Sequence, residues 1–232
     1  MTHSALPIER ETEKGFSVFR LIQTIAFVAF GGTALALTLE IAEGAATFGR
    51  LWALPIAVIL AYAAADFVSG FVHFLADNFG SPDTPLFGKA FVMPFRDHHT
   101  DPTGILRHPF MIANGNNCLV SLPPLLLVIF FVPVDSSLGG YLFGTFFLSF
   151  SLAIFLTNQF HKWAHMETPP KSVAWLQSKG VILSKEHHDV HHTSPFDTYY
   201  CITAGWWNPL LQRLQFFEII ERVLRRIVGP KR

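Results

Sequence analysis

Long apolar runs separated by short polar breaks fill the first two-thirds of the chain, and a mostly polar stretch follows. A helix needs roughly 20 mostly apolar residues to cross a bilayer. The pattern predicts four spans, at about 19–39, 51–75, 118–133 and 138–158. The first is preceded by a polar tail, residues 1–18, without the positive region of a signal peptide. The run after it is too long for a signal core, so it reads as an uncleaved membrane helix, with Ala34-Leu35-Ala36 resembling a cleavage site as the minor alternative. Residues 40–50, with Glu40, Glu43 and Arg50, read as a loop. Residues 78–116 are polar and carry Pro82, Pro85, Pro94, Pro102 and Pro109, and Pro109 should end or bend any helix nearby. The third span is short and reads as broken at Pro123-Pro124. Near the end, Leu210, Leu214, Phe217, Ile220, Leu224 and Ile227 recur at helical spacing, opposite Arg213, Glu218, Arg222, Arg225 and Arg226. That is an amphipathic helix, suited either to a membrane surface or to the protein's own body. The expected fold is therefore all-α: a multi-pass membrane protein of about four transmembrane helices, one domain over 19–232, with a helical cap over 159–232.

Composition and charge sharpen this picture. Of the 232 residues half are hydrophobic and 15% are charged, against about 25% charged in an average soluble domain. The formal charge is zero, so nothing draws the chain to nucleic acid. Cys118 and Cys201 lie far apart without C-x-x-C spacing, which excludes a disulfide framework or a cysteine zinc finger. Four spans put residues 1–18, 76–116 and 159–232 on one side. Every Lys and Arg except Arg50 falls in those parts or at their edges, and positive residues mark the cytoplasmic side. The membrane would be a bacterial inner membrane, or the endoplasmic reticulum in a eukaryote. Trp206-Trp207 and Tyr199-Tyr200 read as an interfacial aromatic belt.

The chemistry concentrates in histidine. His187, His188, His191 and His192 crowd one heptad, preceded by His73, His98-His99, His108, His161 and His165; of 11 histidines only His3 lies elsewhere. All of these fall at or just beyond the cytoplasmic membrane ends. Any one of them alone would pass as a packed or surface residue, but imidazole is the commonest metal ligand among side chains, and the set exceeds the three or four ligands of a single zinc site. Two ions sharing the set is the economical reading. Imidazole suits Zn, Cu, Fe and Ni, so spacing does not name the metal. His161 and His165, at i, i+4, share one helical face. Among His188, His191 and His192 two rings stay on one face and the adjacent one points to a neighbouring ion. His187 points away and would orient a ligand by a hydrogen bond. Asp66, Gly70, His73 and Asp77 share one face of the second span; Asp66 reads as a group that orients a histidine rather than as a ligand. Arg96 and Arg107 could hold a phosphate head group or be ordinary loop charges. The chain has no Glu-x-x-His repeat of the soluble di-iron bundles, no cysteine set for an iron–sulfur cluster and no H-E-x-x-H.

The ordered series Asp66-x3-Gly70-x2-His73-x3-Asp77, Phe95-Arg96-x-His98-His99-x-Asp101-Pro102, Arg107-His108, Gln159-x-His161-Lys162-Trp163-x-His165, His187-His188-x2-His191-His192-x-Ser194-Pro195 and Tyr200-Cys201-Ile202-Thr203-x-Gly205-Trp206 resembles the plasmanylethanolamine desaturase family. The plant plastid desaturases of the same lipid desaturase domain are a more distant likeness. The resemblance covers about residues 50–220. It implies a di-iron enzyme that oxidises the O-alkyl chain of a plasmanylethanolamine lipid to the 1′-alkenyl ether of a plasmalogen. Dioxygen is the co-substrate, with electrons from a cytochrome b-type protein or a ferredoxin. By motif it implies iron ligation by His73, His98, His99, His108, His161, His165, His188, His191 and His192, with Asp77 as an oxygen ligand and with Asn158 and His187 in supporting positions. An acyl-lipid desaturase or lipid hydroxylase could use the same irons. A non-enzymatic metal transporter is the reading from another class, but it should place its polar ligands near the bilayer midplane.

Overall fold

The computed structural model describes residues 18–49, 51–85 and 88–229; the expected tail (residues 1–17) and Arg50 lie outside the described residues. Four helices are long and apolar enough to cross a membrane: α1 (Val18–Phe48), α2 (Ala53–Asn78), α4 (Phe110–Phe131) and α5 (Leu138–Ala164). The protein is an all-helical, multi-pass membrane protein. Side chains such as Val28, Leu35, Ile59, Val120, Leu127 and Phe130 are exposed, as a lipid-facing belt requires, while Phe30, Leu37, Leu125, Val128, Val134 and Leu148 pack between the helices.

Three boundaries differ from the sequence expectation. First, α1 runs through Glu40 and Glu43 to Phe48 and stops before Gly49, whose φ of 60° is left-handed. The loop expected at 40–50 is mostly helix, because nothing before Gly49 breaks the pattern. Second, α4 begins directly after Pro109, absorbing the polar run Asn114 to Asn117. These asparagines stay helical because their side chains find partners: Asn116 accepts from Gln23 of α1 at 3.1 Å, and Asn117 donates to the Ile154 carbonyl of α5 at 2.8 Å. Such contacts glue helices in a membrane. Third, α4 continues unbroken through Pro123 and Pro124, as membrane helices can when the freed backbone groups are satisfied locally.

Each spanning helix runs opposite to the spanning helix before it; α2 packs mainly on α5, and α4 packs on α1 and α5. Bonds between Gln23 and Asn116, and from Asn158 to the Ala113 carbonyl (2.8 Å), bring the start of α1, the start of α4 and the end of α5 together. The end of α2 joins them, since the rings of His73 and His161 adjoin. The cap covers this end. It comprises a π-helical turn (Gly88–Val92), α3 (Met93–Thr100), a 3-10 turn (Pro102–Arg107), α6 (Lys171–Ser178), α7 (Lys185–His191), α8 (Asn208–Arg213) and α9 (Phe216–Val228).

The amphipathic C-terminal stretch is two helices, broken where Gln215 adopts φ 50°. Phe217, Ile220 and Leu224 pack on Phe74 and Tyr200, while Ile219, Val223 and Ile227 stay exposed. The helix therefore packs against the protein's own body along only part of its apolar face. Of the expected aromatic belt, Tyr200 is removed by burial, while Trp206 is exposed and Tyr199 and Trp207 are half-buried. Tyr200 is buried against Phe74 and Phe217 and accepts from Asn78 at 3.1 Å. Trp207 donates to the Ala63 carbonyl at 2.7 Å and Trp206 to that of Gly180 at 2.6 Å. Sequence shows that these rings are amphipathic but not that a long-range partner takes each polar edge.

Candidate di-metal centre

Two clusters of donor atoms meet under the cap. His98, His161, His165, His188 and His192 form the first; His73, Asp77, His99 and His191 form the second. In the first, the Nε2 atoms converge: His98 to His165 2.8 Å, His161 to His188 2.8 Å, His188 to His165 2.9 Å, His192 to His188 3.1 Å, His165 to His161 3.2 Å. A neutral imidazole has a single N–H, so the Nε2 of His165 cannot share a proton with three others at once. A metal ion can join them all. Metal–imidazole bonds run about 2.1 Å, which puts two donors at right angles on one ion about 3.0 Å apart. Five imidazoles exceed the closed set of a structural zinc site and leave room for a sixth, exchangeable position.

In the second cluster Oδ2 of Asp77 stands 3.1 Å from Nε2 of His99, 3.3 Å from that of His73 and 3.6 Å from that of His191. The Nε2 atoms of His73 and His191 are buried and have no hydrogen-bond partner. Their other ring nitrogens are engaged: Nδ1 of His73 donates to the Tyr200 carbonyl at 3.1 Å, and Nδ1 of His191 to that of Thr198 at 2.7 Å. This is the arrangement of a metal-bound histidine. The outer bond holds the proton on Nδ1 and aims the Nε2 lone pair at the ion. Both donor sets fit metal ions on these grounds.

Helix geometry explains how the residues are shared out. On α7, His188 and His192 lie four apart and enter the first cluster, while His191 turns toward the second. On α3 the neighbours His98 and His99 are likewise divided. On α5, His161 and His165 both face the first cluster, and on α2 His73 and Asp77 both face the second. Ser184 starts α7 by accepting from the His187 N–H at 3.3 Å, which sets the helix's rotation and so the direction of its three donors. Rings from the two clusters adjoin, with centroids 5.7 Å apart for His188 and His191 and 5.3 Å for His99 and His192.

The other expected site residues are placed as follows. His108 enters neither cluster; its carbonyl accepts from Lys162 at 2.5 Å, tying the 3-10 turn to α5. His187 touches no donor. Its Nε2 pairs with Asn208 at 3.0 Å and its ring lies on Tyr199. Asn158 donates to the Ala113 carbonyl at 2.8 Å within the bundle. Arg96 donates to the carbonyls of Ala76 (3.3 Å), Phe79 (3.2 Å) and Gly80 (3.1 Å), closing the end of α2. Arg107 pairs with Asp101 at 2.6 Å on the surface. Asp66 directs its oxygens to backbone rather than to a histidine. It accepts backbone N–H groups of Thr203 (3.2 Å), Ala204 (2.8 Å) and Gly205 (2.9 Å), anchoring the segment whose Tyr200 carbonyl holds His73. A side chain at Gly70 would collide with Cys201 of the same segment, so glycine there lets α2 approach it. Sequence reading did not find the carbonyls of Thr198 and Tyr200; only the cluster Tyr200-Cys201-Ile202-Thr203 marked the segment.

Burial, the largest cause for each ring, lowers the histidines outside the spans: His98 to about 2, His165 and His191 to about 3, His192 to about 4. Neighbouring rings push the same way. The unfolded chain takes up protons below about pH 6.5 and the folded, metal-free cap does not. Stability of the metal-free protein should thus be full above pH 6.5 and fall progressively as pH drops toward these folded values. Thermal unfolding of the chelated protein in detergent between pH 8 and pH 4.5 checks this: a melting temperature flat or rising on acidification would contradict the burial of neutral rings.

A family model for the lipid desaturase domain matches residues 62–232. A plasmanylethanolamine desaturase of Myxococcus xanthus is 42% identical over 218 residues, covering 93% of this chain and 76% of its own length. Plasmanylethanolamine desaturase 1 of Mus musculus is 44% identical over 178 residues, covering 75% and 66%. The chloroplastic fatty acid desaturase 4 of Arabidopsis thaliana is 34% identical over 173 residues, covering 73% and 51%. No solved structure matches.

Proposed function

The chain belongs to the lipid desaturase domain family, and from that premise we propose that it is a membrane oxidoreductase that converts the O-alkyl chain of a plasmanylethanolamine lipid to a vinyl ether. The observation that carries this is the pair of adjoining donor clusters at one end of a lipid-facing helix bundle. The reaction balances as alkyl ether plus dioxygen, two electrons and two protons giving vinyl ether and two waters. Two irons held by the clusters would supply the dioxygen chemistry that takes hydrogen from the chain.

The protein's own part is positioning and exclusion of water. His73, His188 and His191 are at most 1% exposed, so the donors sit in a dry pocket where a reactive oxidant is kept from side reactions. The carbonyls of Thr198 and Tyr200 hold His191 and His73 in one orientation. The donors gather at one bundle end, and the distribution of Lys and Arg supports a cytoplasmic location for it. Reducing equivalents then arrive from that side, from a cytochrome b-type protein or a ferredoxin.

The test is lipid chemistry. Expressed in a host without vinyl ethers and supplied with a 1-O-alkyl ethanolamine phospholipid, the protein should produce acid-labile vinyl ether, dependent on oxygen and iron. Unaltered ether lipid with new double bonds in acyl chains would move the assignment to acyl-lipid desaturation. Metal uptake into vesicles without oxygen consumption would replace the enzyme reading altogether.

A further inference from the structure

A cleft of about 370 Å³ opens beside the second donor cluster. Asp77 and His99 of that cluster line it together with Arg96, Phe196, Asp197 and Glu221. Its volume is on the order of a dozen waters, enough for a small polar group and too little for a whole lipid. Its charges are mixed. The guanidinium of Arg96 is fixed by the carbonyls of Ala76, Phe79 and Gly80, and bonds to neutral carbonyls leave its positive charge in place. Asp197 is exposed on the loop after α7. Glu221 is held on α9 by Arg225, at 3.1 Å, and Arg225 is itself tied to the Asn78 carbonyl at 2.6 Å and lies over Phe79. A fixed cation and two carboxylates, besides Asp77 of the donor cluster, thus share one small chamber.

We infer that this cleft binds the phosphoethanolamine head group of the lipid, with Arg96 facing the phosphate and Asp197 and Glu221 accepting from the primary ammonium. The inference rests on the proposed vinyl-ether chemistry, and that chemistry supplies a geometric reason for it. The bond to be oxidised is the first of the alkyl chain, joined to the phosphate through only the ether oxygen and the glycerol. A head group on such a substrate cannot be remote from the ions; it must lie beside them, and this cleft shares two lining residues with the donor cluster. A primary ammonium has three N–H donors and suits carboxylate acceptors. A choline group has none and favours an aromatic cage, for which the cleft provides a single ring, Phe196. Asp197 and Glu221 would therefore set the preference for ethanolamine over choline. Arg96 would set affinity for either.

Binding of sn-glycero-3-phosphoethanolamine and sn-glycero-3-phosphocholine to the purified, metal-loaded full chain in detergent tests this, by calorimetry. The wild type should bind the ethanolamine probe about tenfold or more tightly than the choline probe, the scale of one charge-assisted hydrogen bond. Asp197→Asn and Glu221→Gln should each erode that ratio, and the double variant should bring it near one with metal content unchanged. Arg96→Lys should weaken both probes alike. In turnover, the carboxylate variants should raise KM for the ethanolamine lipid more than they lower kcat. Equal binding of the two probes by the wild type, displacement by inorganic phosphate alone at equal strength, or a double variant that keeps its preference would each overturn the inference. Vinyl-ether formation by the wild type is scored separately. Product without head-group preference sinks the cleft assignment alone, whereas no product from either lipid sinks the proposed function.

Discussion

His188→Ala should bind one metal ion where the wild type should bind two, and should form no vinyl ether above background. His188 shares with His165 the largest number of close Nε2 contacts in the first cluster: its Nε2 lies 2.8 Å from that of His161, 2.9 Å from His165 and 3.1 Å from His192, and the residue is 1% exposed. Removing it leaves four imidazoles around a hole in the dry interior. Changes to groups that merely orient a ligand cost about 10–100-fold in metal affinity or activity, and loss of a ligand should exceed the upper end of that range. His191→Ala should do the same to the second cluster, where it removes one of three histidines beside Asp77. Elemental analysis after dialysis against limiting iron, paired with the lipid assay, reads both variants. Because metal binding stabilises the folded state by mass action, each variant should also melt lower than the wild type and respond less to chelator. His108→Ala is the contrast. His108 enters neither cluster, so this variant should keep both ions; loss of an ion from it would return His108 to the donor set implied by the family motif. Two ions and full turnover in His188→Ala would show that the convergence of rings is packing rather than ligation.

How far the site could be read from sequence depends on the length scale of each contact. That His188, His191 and His192 divide between two ions follows from helical spacing, but spacing pairs His188 equally with His191 and His192, and the fold alone puts His192 with it. The grouping of His161 with His165 is legible because residues four apart share a face. The span ends were less so. Hydrophobicity measures the part of a helix in hydrocarbon, and α1 and α5 run on beyond it. The asparagines that open α4 read as a loop because their partners, Gln23 and the Ile154 carbonyl, belong to other helices. His108 follows a motif that local pattern shares with the clustered histidines, yet its own backbone is extended before Pro109 and it joins neither cluster. Asp66 shows the limit most clearly. Its position on the His73 face of α2 marked it as an orienting group. Its acceptors serve backbone amides 137 to 139 residues away in sequence, and no periodicity in a single chain announces such a pairing.

Asp66 also carries the second large prediction. Its side chain is fully buried; Oδ1 takes the N–H groups of Thr203, Ala204 and Gly205, and Oδ2 lies 3.4 Å from that of Trp207. Ser69 adds an acceptor for Ile202 at 3.1 Å. This brace fixes residues 202–207, and the adjoining carbonyl of Tyr200 then fixes His73. Asp66→Ala leaves a row of buried amides without an acceptor, each costing about 1–3 kcal/mol and not fully additive. The expected loss is about 3–5 kcal/mol of stability, on the scale of breaking one side of a buried charged contact. Asp66→Asn is the sharper probe. It keeps one carbonyl oxygen for the three amides but loses the charge and turns an NH2 group toward the Trp207 N–H. It should fold, melt lower by about 1–3 kcal/mol, and weaken the second ion about 10–100-fold through the loosened His73. The five-histidine cluster has no bond to this segment except through its neighbours, so its ion should stay. Under limiting iron the bound metal should therefore fall toward one ion per chain, with thermal unfolding and metal competition in detergent as the readouts. An Asp66→Asn protein that melts like the wild type and holds both ions equally well would mean that the segment keeps its shape without the carboxylate. The orientation of His73 would then have to come from the packing of Tyr200 against Phe74 and Phe217.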